Sequence, residues 1–278
     1  MICLPWLALT LLAAGAGPRL ETAEAAAVAE ITEIAEVHVA VAANFAAPLD
    51  ELARAFAKGS GRRVVASSGS SGKLYAQIKS GAPFEVLLSA DSERPALLER
   101  EGAAVAGSRF TYALGKLVLW SRDPGLVDPQ GKVLVSGRFQ HLAIANPEIA
   151  PYGTAARQVL QSLGLWERLS PRLVLGEDIG QTYQFAATGN AELAFVALSQ
   201  LRAAGRREGP PPGREAQPAA TPVTGSFWLV PATRYQAIAQ QAVLLARGKD
   251  KPAARAFLDF LRGPEARRLI EGFGYGVP

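Results

Sequence analysis

From Val37 onward the chain alternates short strand-like runs with helix-like runs, joined by connections of a few residues. Val37-His38-Val39-Ala40-Val41-Ala42 reads as a buried strand. Residues 48–58 follow with Leu49, Leu52, Ala53 and Phe56 on one helical face. Gly59 and Gly61 stop that helix, and Arg63-Val64-Val65-Ala66 makes the next strand. A short helix at 74–79 and a strand at 84–89 continue the alternation. A longer apolar strand is expected at 114–121. The pattern then resumes: strands at 141–145, 173–175 and 193–196, with helices at 154–163 and 179–187 between them. Alternation of this kind predicts an α/β fold of open, mostly parallel sheets flanked by helices.

The end of the chain decides how those sheets group. A late strand at 227–230 is followed by amphipathic helices expected around 236–247 and 253–261. These are too few elements for a further domain, so they are expected to return to the first lobe. The reading is lobe one at 37–114 plus 228–278, lobe two at 115–227, and a hinge of two crossings near Gly115 and Trp228. The Pro-rich stretch 209–222 is read as an extended surface loop of lobe two. Ligands of open α/β sheets sit beyond the carboxyl ends of strands, and two such ends facing each other form a cleft that can close.

Four segments fall where a strand or turn gives way to a helix. They are Ala42-Ala43-Asn44-Phe45, Gly69-Ser70-Ser71-Gly72-Lys73, the run from Asn146-Pro147-Glu148 to Pro151-Tyr152-Gly153-Thr154, and Glu177-Asp178-Ile179-Gly180. A helix start offers unpaired N–H groups and a partial positive charge, so each is a potential anion site. Each is also an ordinary capped helix start: Asn44, Ser70 and Asp178 are all good N-caps. Only the four together suggest a protein that wraps a small oxyanion.

Other chemistries find little support. Ser70-Ser71-Gly72-Lys73 fails the phosphate-loop pattern, with Ser67 at the first glycine position and Leu74 after the lysine. Ser70 and Lys73 have the spacing of a serine acyl enzyme, the alternative of a different class, but its companion S-D-N and K-T-G motifs are missing. His38 and His141 begin or occupy strands without partners at ligand spacing, so both read as structural. Trp120, Trp166 and Trp228 read as packing residues. No block of Lys and Arg interleaved with aromatics gives the +4 chain a nucleic-acid surface. The sequence implies no catalytic residue, no cofactor and no enzyme activity.

Residues 1–25 read as a signal peptide. An apolar run from Leu7 to Ala16 is too short to span a bilayer, and A-x-A patterns follow at Ala14-Gly15-Ala16 and Ala23-Glu24-Ala25. Cleavage near Ala25 removes Cys3, the only cysteine, leaving no disulfide and no thiolate.

The ordered set of segments resembles one known family. Val41-Ala42-Ala43-Asn44-Phe45, the run from Gly69 to Ile78, the run from Gly81 to Asp91, Ala143-Ile144-Ala145-Asn146-Pro147, Gly176-Glu177-Asp178-Ile179 and the tail from Phe257 to Ala266 are similar to the molybdate-binding periplasmic proteins of ABC transporters. The likeness runs from about Val37 to Val277. It implies the two-lobed type II periplasmic binding protein fold, a periplasmic location, and molybdate or tungstate held between the lobes for an inner-membrane permease. It also implies a monomer that binds no nucleic acid. The family's ligand contacts fall on Asn44 and Ser71 in lobe one and on Tyr152 and Ile179 in lobe two, with Ala43 offering a backbone N–H. Molybdenum enters only as the oxyanion, with no bond from a residue to the metal. Some members place a ligand-binding tyrosine where this chain has Ala197, so Tyr152 is left to donate by its backbone N–H or by its hydroxyl.

The chemistry agrees with that ligand. Molybdate at neutral pH carries no proton and needs only donors, which amide, hydroxyl and backbone N–H groups supply. Phosphate keeps a proton and needs an acceptor. Sulfate, the alternative of the same class, differs only in size. Lys73 is expected either to face away from Ser71 or to stand at the rim.

Overall fold

The structure is a computed structural model that describes residues 35–208 and 224–278. The expected signal peptide and the Pro-rich stretch 209–222 lie outside the described residues. The chain starts with β1 (Glu36–Ala42), a 3-10 turn (Ala43–Phe45), α1 (Ala46–Ser60), β2 (Arg63–Gly69), α2 (Ser71–Lys79), β3 (Val86–Leu88), α3 (Glu93–Arg100) and β4 (Phe110–Gly115). Then come β5 (Leu117–Ser121), α4 (Val133–Ser136), β6 (Leu142–Ala145), α5 (Pro151–Ser162), α6 (Trp166–Leu169), β7 (Leu173–Gly176), α7 (Ile179–Ala187), β8 (Leu193–Ala197) and α8 (Leu198–Glu208). After the undescribed stretch follow β9 (Ser226–Leu229), β10 (Ile238–Leu244), α9 (Pro252–Arg262) and α10 (Pro264–Gly272).

The strands make two five-stranded sheets, ordered β2-β1-β3-β10-β4 and β7-β6-β8-β5-β9. The two-lobed α/β architecture is therefore as the sequence implied. Each sheet is mixed. In lobe one β2, β1 and β3 are parallel while β10 runs antiparallel to β3 and β4; in lobe two β7, β6 and β8 are parallel while β5 runs antiparallel to β8 and β9. The antiparallel strands are those that carry the chain into and out of the crossings.

Three expectations need correction. The strand expected at 114–121 is two strands, β4 and β5, broken at Lys116 because they serve different sheets. The return crossing falls between Leu229 and Ile238, since Ser226–Leu229 pairs with β5 and Trp228 is buried in lobe two. The helix expected around 236–247 is instead β10, inserted between β3 and β4. Its Ala- and Gln-rich sequence suits a helix, but an interior sheet position buries Ile238, Gln240, Ala242, Val243 and Leu244 on both faces. Tertiary pairing overrides local propensity here.

Each lobe has its own core. Leu49, Leu52 and Phe56 of α1 are buried on one face, and Phe56 meets Phe257 of α9 edge-on at 5.3 Å. In lobe two Leu142, Ile144 and Phe195 are fully buried beneath Val159 and Leu160 of α5. Burying side chains of this size stabilises by about 1.5–3 kcal/mol each. These cores hold the helix starts still at the inner ends of the sheets.

Candidate functional site

Between the lobes lies a small cavity. Lobe one contributes Ala42, Ala43, Asn44, Gly69, Ser70, Ser71 and Ala90; lobe two contributes Ala150, Pro151, Tyr152, Asp178 and Ile179. All five residues singled out in the sequence, Ala43, Asn44, Ser71, Tyr152 and Ile179, stand in its walls. Ala43, Asn44, Ser71 and Ile179 arrive there because β1, β2 and β7 each hand over to a helix start, and Tyr152 because α5 begins just beyond β6.

The starts of α2 and α7 show the local logic. Ser70 is extended (φ −69°, ψ 148°) and its Oγ accepts from Lys73 N at 3.3 Å. Gly72 N donates to Ile149 O at 2.9 Å. Across the cleft, Asp178 Oδ1 accepts from Gln181 N at 2.9 Å. The caps thus satisfy the third N–H of each helix. Ser71 and Ile179 hold the first N–H, which has no acceptor within its own helix and belongs to a residue of the cavity wall. In α5, Pro151 takes the first position and has no N–H, so Tyr152 carries the leading amide.

Ser71 is fully buried, and its Oγ accepts from Ala90 N at 3.0 Å. That bond occupies a lone pair and leaves the hydroxyl proton for another acceptor.

Asn44 differs from expectation. Its amide nitrogen donates to Gln240 Oε1 at 3.0 Å and to Tyr275 OH at 2.8 Å, both in lobe one. Both amide protons are committed there, so the backbone N–H is the donor Asn44 has left to offer. Its carbonyl accepts from Ser199 Oγ and Tyr275 OH, each at 2.9 Å. Tyr152 is tied from behind as well: its hydroxyl accepts from Gln240 Nε2 at 3.2 Å and keeps its own proton, while its backbone carries the leading amide of α5. Burial pushes the hydroxyls of Tyr112, Tyr152 and Tyr275 above the usual tyrosine range, so all three stay neutral. The supporting network of Gln240, Tyr112, Tyr275 and Ser199 escaped the sequence reading. Gln240 fell in a segment read as helix, and nothing local marks the others.

Among the described residues no Lys, Arg or His lines the cavity, and the one carboxylate there, Asp178, is engaged as a helix cap. Positive potential there comes from helix starts and neutral donors. Among the described residues no cluster of His, Cys, Asp or Glu could hold a metal ion. Lys73 stands at the rim, where its Nζ meets Glu177 Oε1 of lobe two at 2.7 Å. Ser70 Oγ, the nucleophile of the acyl-enzyme alternative, accepts the cap bond of α2, and the Lys73 Nζ that would serve it is paired with Glu177 instead. A second ion pair, Arg206 to Glu51 at 2.7 Å, ties α8 to α1, with the guanidinium 3.9 Å over Phe273. Among the described residues one buried side-chain polar atom lacks a partner: Ser89 Oγ, next to the cavity residue Ala90.

Known proteins share this architecture. The model of a family described as bacterial extracellular solute-binding protein matches residues 37–276. The molybdate-binding protein ModA of Azotobacter vinelandii is 53% identical over 245 residues, covering 88% of this chain and 91% of that protein. ModA of Rhodobacter capsulatus is 50% identical, covering 86% and 88%. The solved structure of the Azotobacter vinelandii periplasmic molybdate-binding protein superposes with a TM-score of 0.80 at 46% identity, covering 87% of this chain and 99% of that one.

Proposed function

The chain belongs to the bacterial extracellular solute-binding proteins, and from that premise we propose that it captures molybdate between its lobes for the permease of an ABC transporter. The observation that carries the reading is the cavity's donor set. Amides from helix starts of both lobes and the Ser71 hydroxyl surround a space that, among the described residues, no cationic side chain lines. A fully deprotonated tetrahedral dianion matches such a set: each oxygen takes donors, and no proton needs an acceptor. Relatives named for molybdate, at 53% and 50% identity, support this ligand over sulfate. Tungstate, of the same charge and shape, binds in the same place.

In this reading Ala43 and Asn44 donate backbone N–H groups from lobe one, and Ser71 donates its hydroxyl and its amide. Tyr152 and Ile179 close the other side with leading amides of α5 and α7. The oxygens of the anion meet protein donors, and no residue bonds to molybdenum. The protein acts as a monomeric carrier without a cofactor or a catalytic step. It works in the periplasm, reached through the signal peptide at 1–25. Among the described residues no helix is long and apolar enough to cross a membrane.

Thermal unfolding with molybdate, tungstate, sulfate and phosphate tests the reading. A ligand that binds only the folded state raises the melting temperature, by about 2.7 kcal/mol of added stability at a hundredfold excess over its Kd. Large shifts with molybdate and tungstate alone are expected. A larger shift with sulfate or phosphate, or none with any of the four, overturns it.

A further inference from the structure

The cavity's donors come from two lobes, so their separation depends on how the lobes close. One buried side chain spans that separation from behind. Gln240 lies in β10, the strand by which the chain re-enters lobe one, and is fully buried. Its Oε1 accepts from Asn44 Nδ2 and from Tyr112 OH, each at 3.0 Å. Its Nε2 donates to Tyr152 OH at 3.2 Å. Asn44 belongs to the lobe-one wall and Tyr152 to the lobe-two wall. A single amide therefore links the two walls.

The backbone is shaped around this link. Pairing of β10 with β4 shifts between Gln240 and Gln241, from Ala113 to Thr111, which leaves Tyr112 as the extra residue of a bulge. Bulges re-aim side chains, and Tyr112 is the residue whose hydroxyl meets Gln240. At the first crossing Gly115 supplies the space. A Cβ there would stand 2.4 Å from Tyr152 OH and 2.9 Å from Gln240 Nε2. Any other residue at 115 would collide with the bond.

We propose that Gln240 is a positioning residue that sets the closed spacing of the cavity, acting through Asn44 and Tyr152, and so helps decide which size of oxyanion is retained. The proposal rests on the oxyanion reading given above. Donors on both walls reach one tetrahedral anion together only at one wall separation. A bond that joins the walls favours that separation, and its loss raises the share of open molecules. The effect appears in release more than in capture, because an open cleft still admits the anion.

The test uses Tyr152→Phe and Gln240→Met in the full chain, followed by stopped-flow fluorescence with molybdate and sulfate. Tyr152→Phe keeps the ring and the backbone N–H and removes only the hydroxyl, so it guards against a Gln240→Met variant that fails to fold. Tyr152→Phe, which loses one hydrogen bond, is expected to release molybdate up to about tenfold faster, and Gln240→Met, which also takes the acceptor from Asn44 and Tyr112, at least as fast, with association changed less than about twofold in both. The preference for molybdate over sulfate shrinks in both. The double variant is no worse than Gln240→Met alone, because the bond that Tyr152→Phe breaks is already gone there. A purely structural role would lower the melting temperature without changing release or preference. Wild-type release and preference in Tyr152→Phe would overturn the proposal, as would single effects that multiply in the double variant. Wild-type protein that binds neither anion would overturn the oxyanion reading itself, a result distinct from either of these.

Discussion

Gly72 and Ile149 meet across the cleft: the Gly72 amide donates to the Ile149 carbonyl at 2.9 Å, and a Cβ on Gly72 would lie 3.0 Å from Ile149 Cα. The contact joins the first turn of a lobe-one helix to the loop before α5. Gly72→Ala is expected to leave each lobe folded and to obstruct closure, weakening molybdate binding about tenfold, in line with an overpacking cost of about 1–3 kcal/mol. Calorimetry gives the affinity and small-angle scattering gives the closure. Affinity within twofold of wild type would show that Ile149 yields and that the contact does not limit closure.

Ser71→Ala removes a hydroxyl whose lone pair is already held by Ala90 N. The lost donor faces a buried dianion, so affinity is expected to fall by about 1.5–3 kcal/mol. Titration calorimetry reads it directly, and an unchanged Kd would remove Ser71 from the site.

The rim pair Lys73–Glu177 is solvent-exposed on both sides, with side chains 47% and 57% accessible. Its hydrogen bond to Glu177, with the attraction of that carboxylate, raises the Lys73 pKa. Exposed pairs are weak and screened by salt. Lys73→Ala is therefore expected to speed release slightly at about 10 mM salt and not at about 1 M, where the Debye length falls to about 3 Å. An effect that persists in high salt would mean Lys73 acts by something other than this pair.

Tyr112, Tyr152 and Tyr275 are buried, and burial holds each hydroxyl proton above the ordinary tyrosine range. The folded state keeps protons that the unfolded state loses near pH 10. Their contribution is complete below that pH and is lost as pH rises above it. Stability from this source is expected to be flat between about pH 7 and 9 and to fall above about pH 10. An ultraviolet titration should show these three ionising only as the protein unfolds. Free ionisation in the folded state would contradict the buried network.

Ser89 Oγ is buried without a partner. Removing an unpaired hydroxyl recovers its desolvation cost, about 1–3 kcal/mol. Ser89→Ala is expected to raise the melting temperature or leave it unchanged, with molybdate affinity intact. A loss of affinity would mark Ser89 as a ligand donor.

Much of the site was legible in the sequence because its signals are local. Ser70 before Ser71, Pro151 before Tyr152 and Asp178 before Ile179 mark helix starts by their own chemistry, and all three starts reach the cavity. What lay behind the cavity was not legible. Asn44 advertises an amide donor, yet that amide is spent on Gln240 and Tyr275, which lie 196 and 231 residues away. No pattern near Asn44 announces partners so distant. The fold shows the same division. Strands flanked by turns were found, while β10 was read as a helix because Ala and Gln favour one until β3 and β4 claim the segment from both sides.

That strand also completes lobe one from beyond lobe two. Lobe two takes all its strands from one continuous stretch, Leu117 to Leu229, whereas β10 must reach back past that whole lobe to join β3 and β4. Lobe one's sheet is complete only with β10 in place, and Asn44 has its partner Gln240 only there. A chain cut before β10 would therefore carry every wall residue of the cavity, from Ala42 to Ile179, and lack the amide that links those walls.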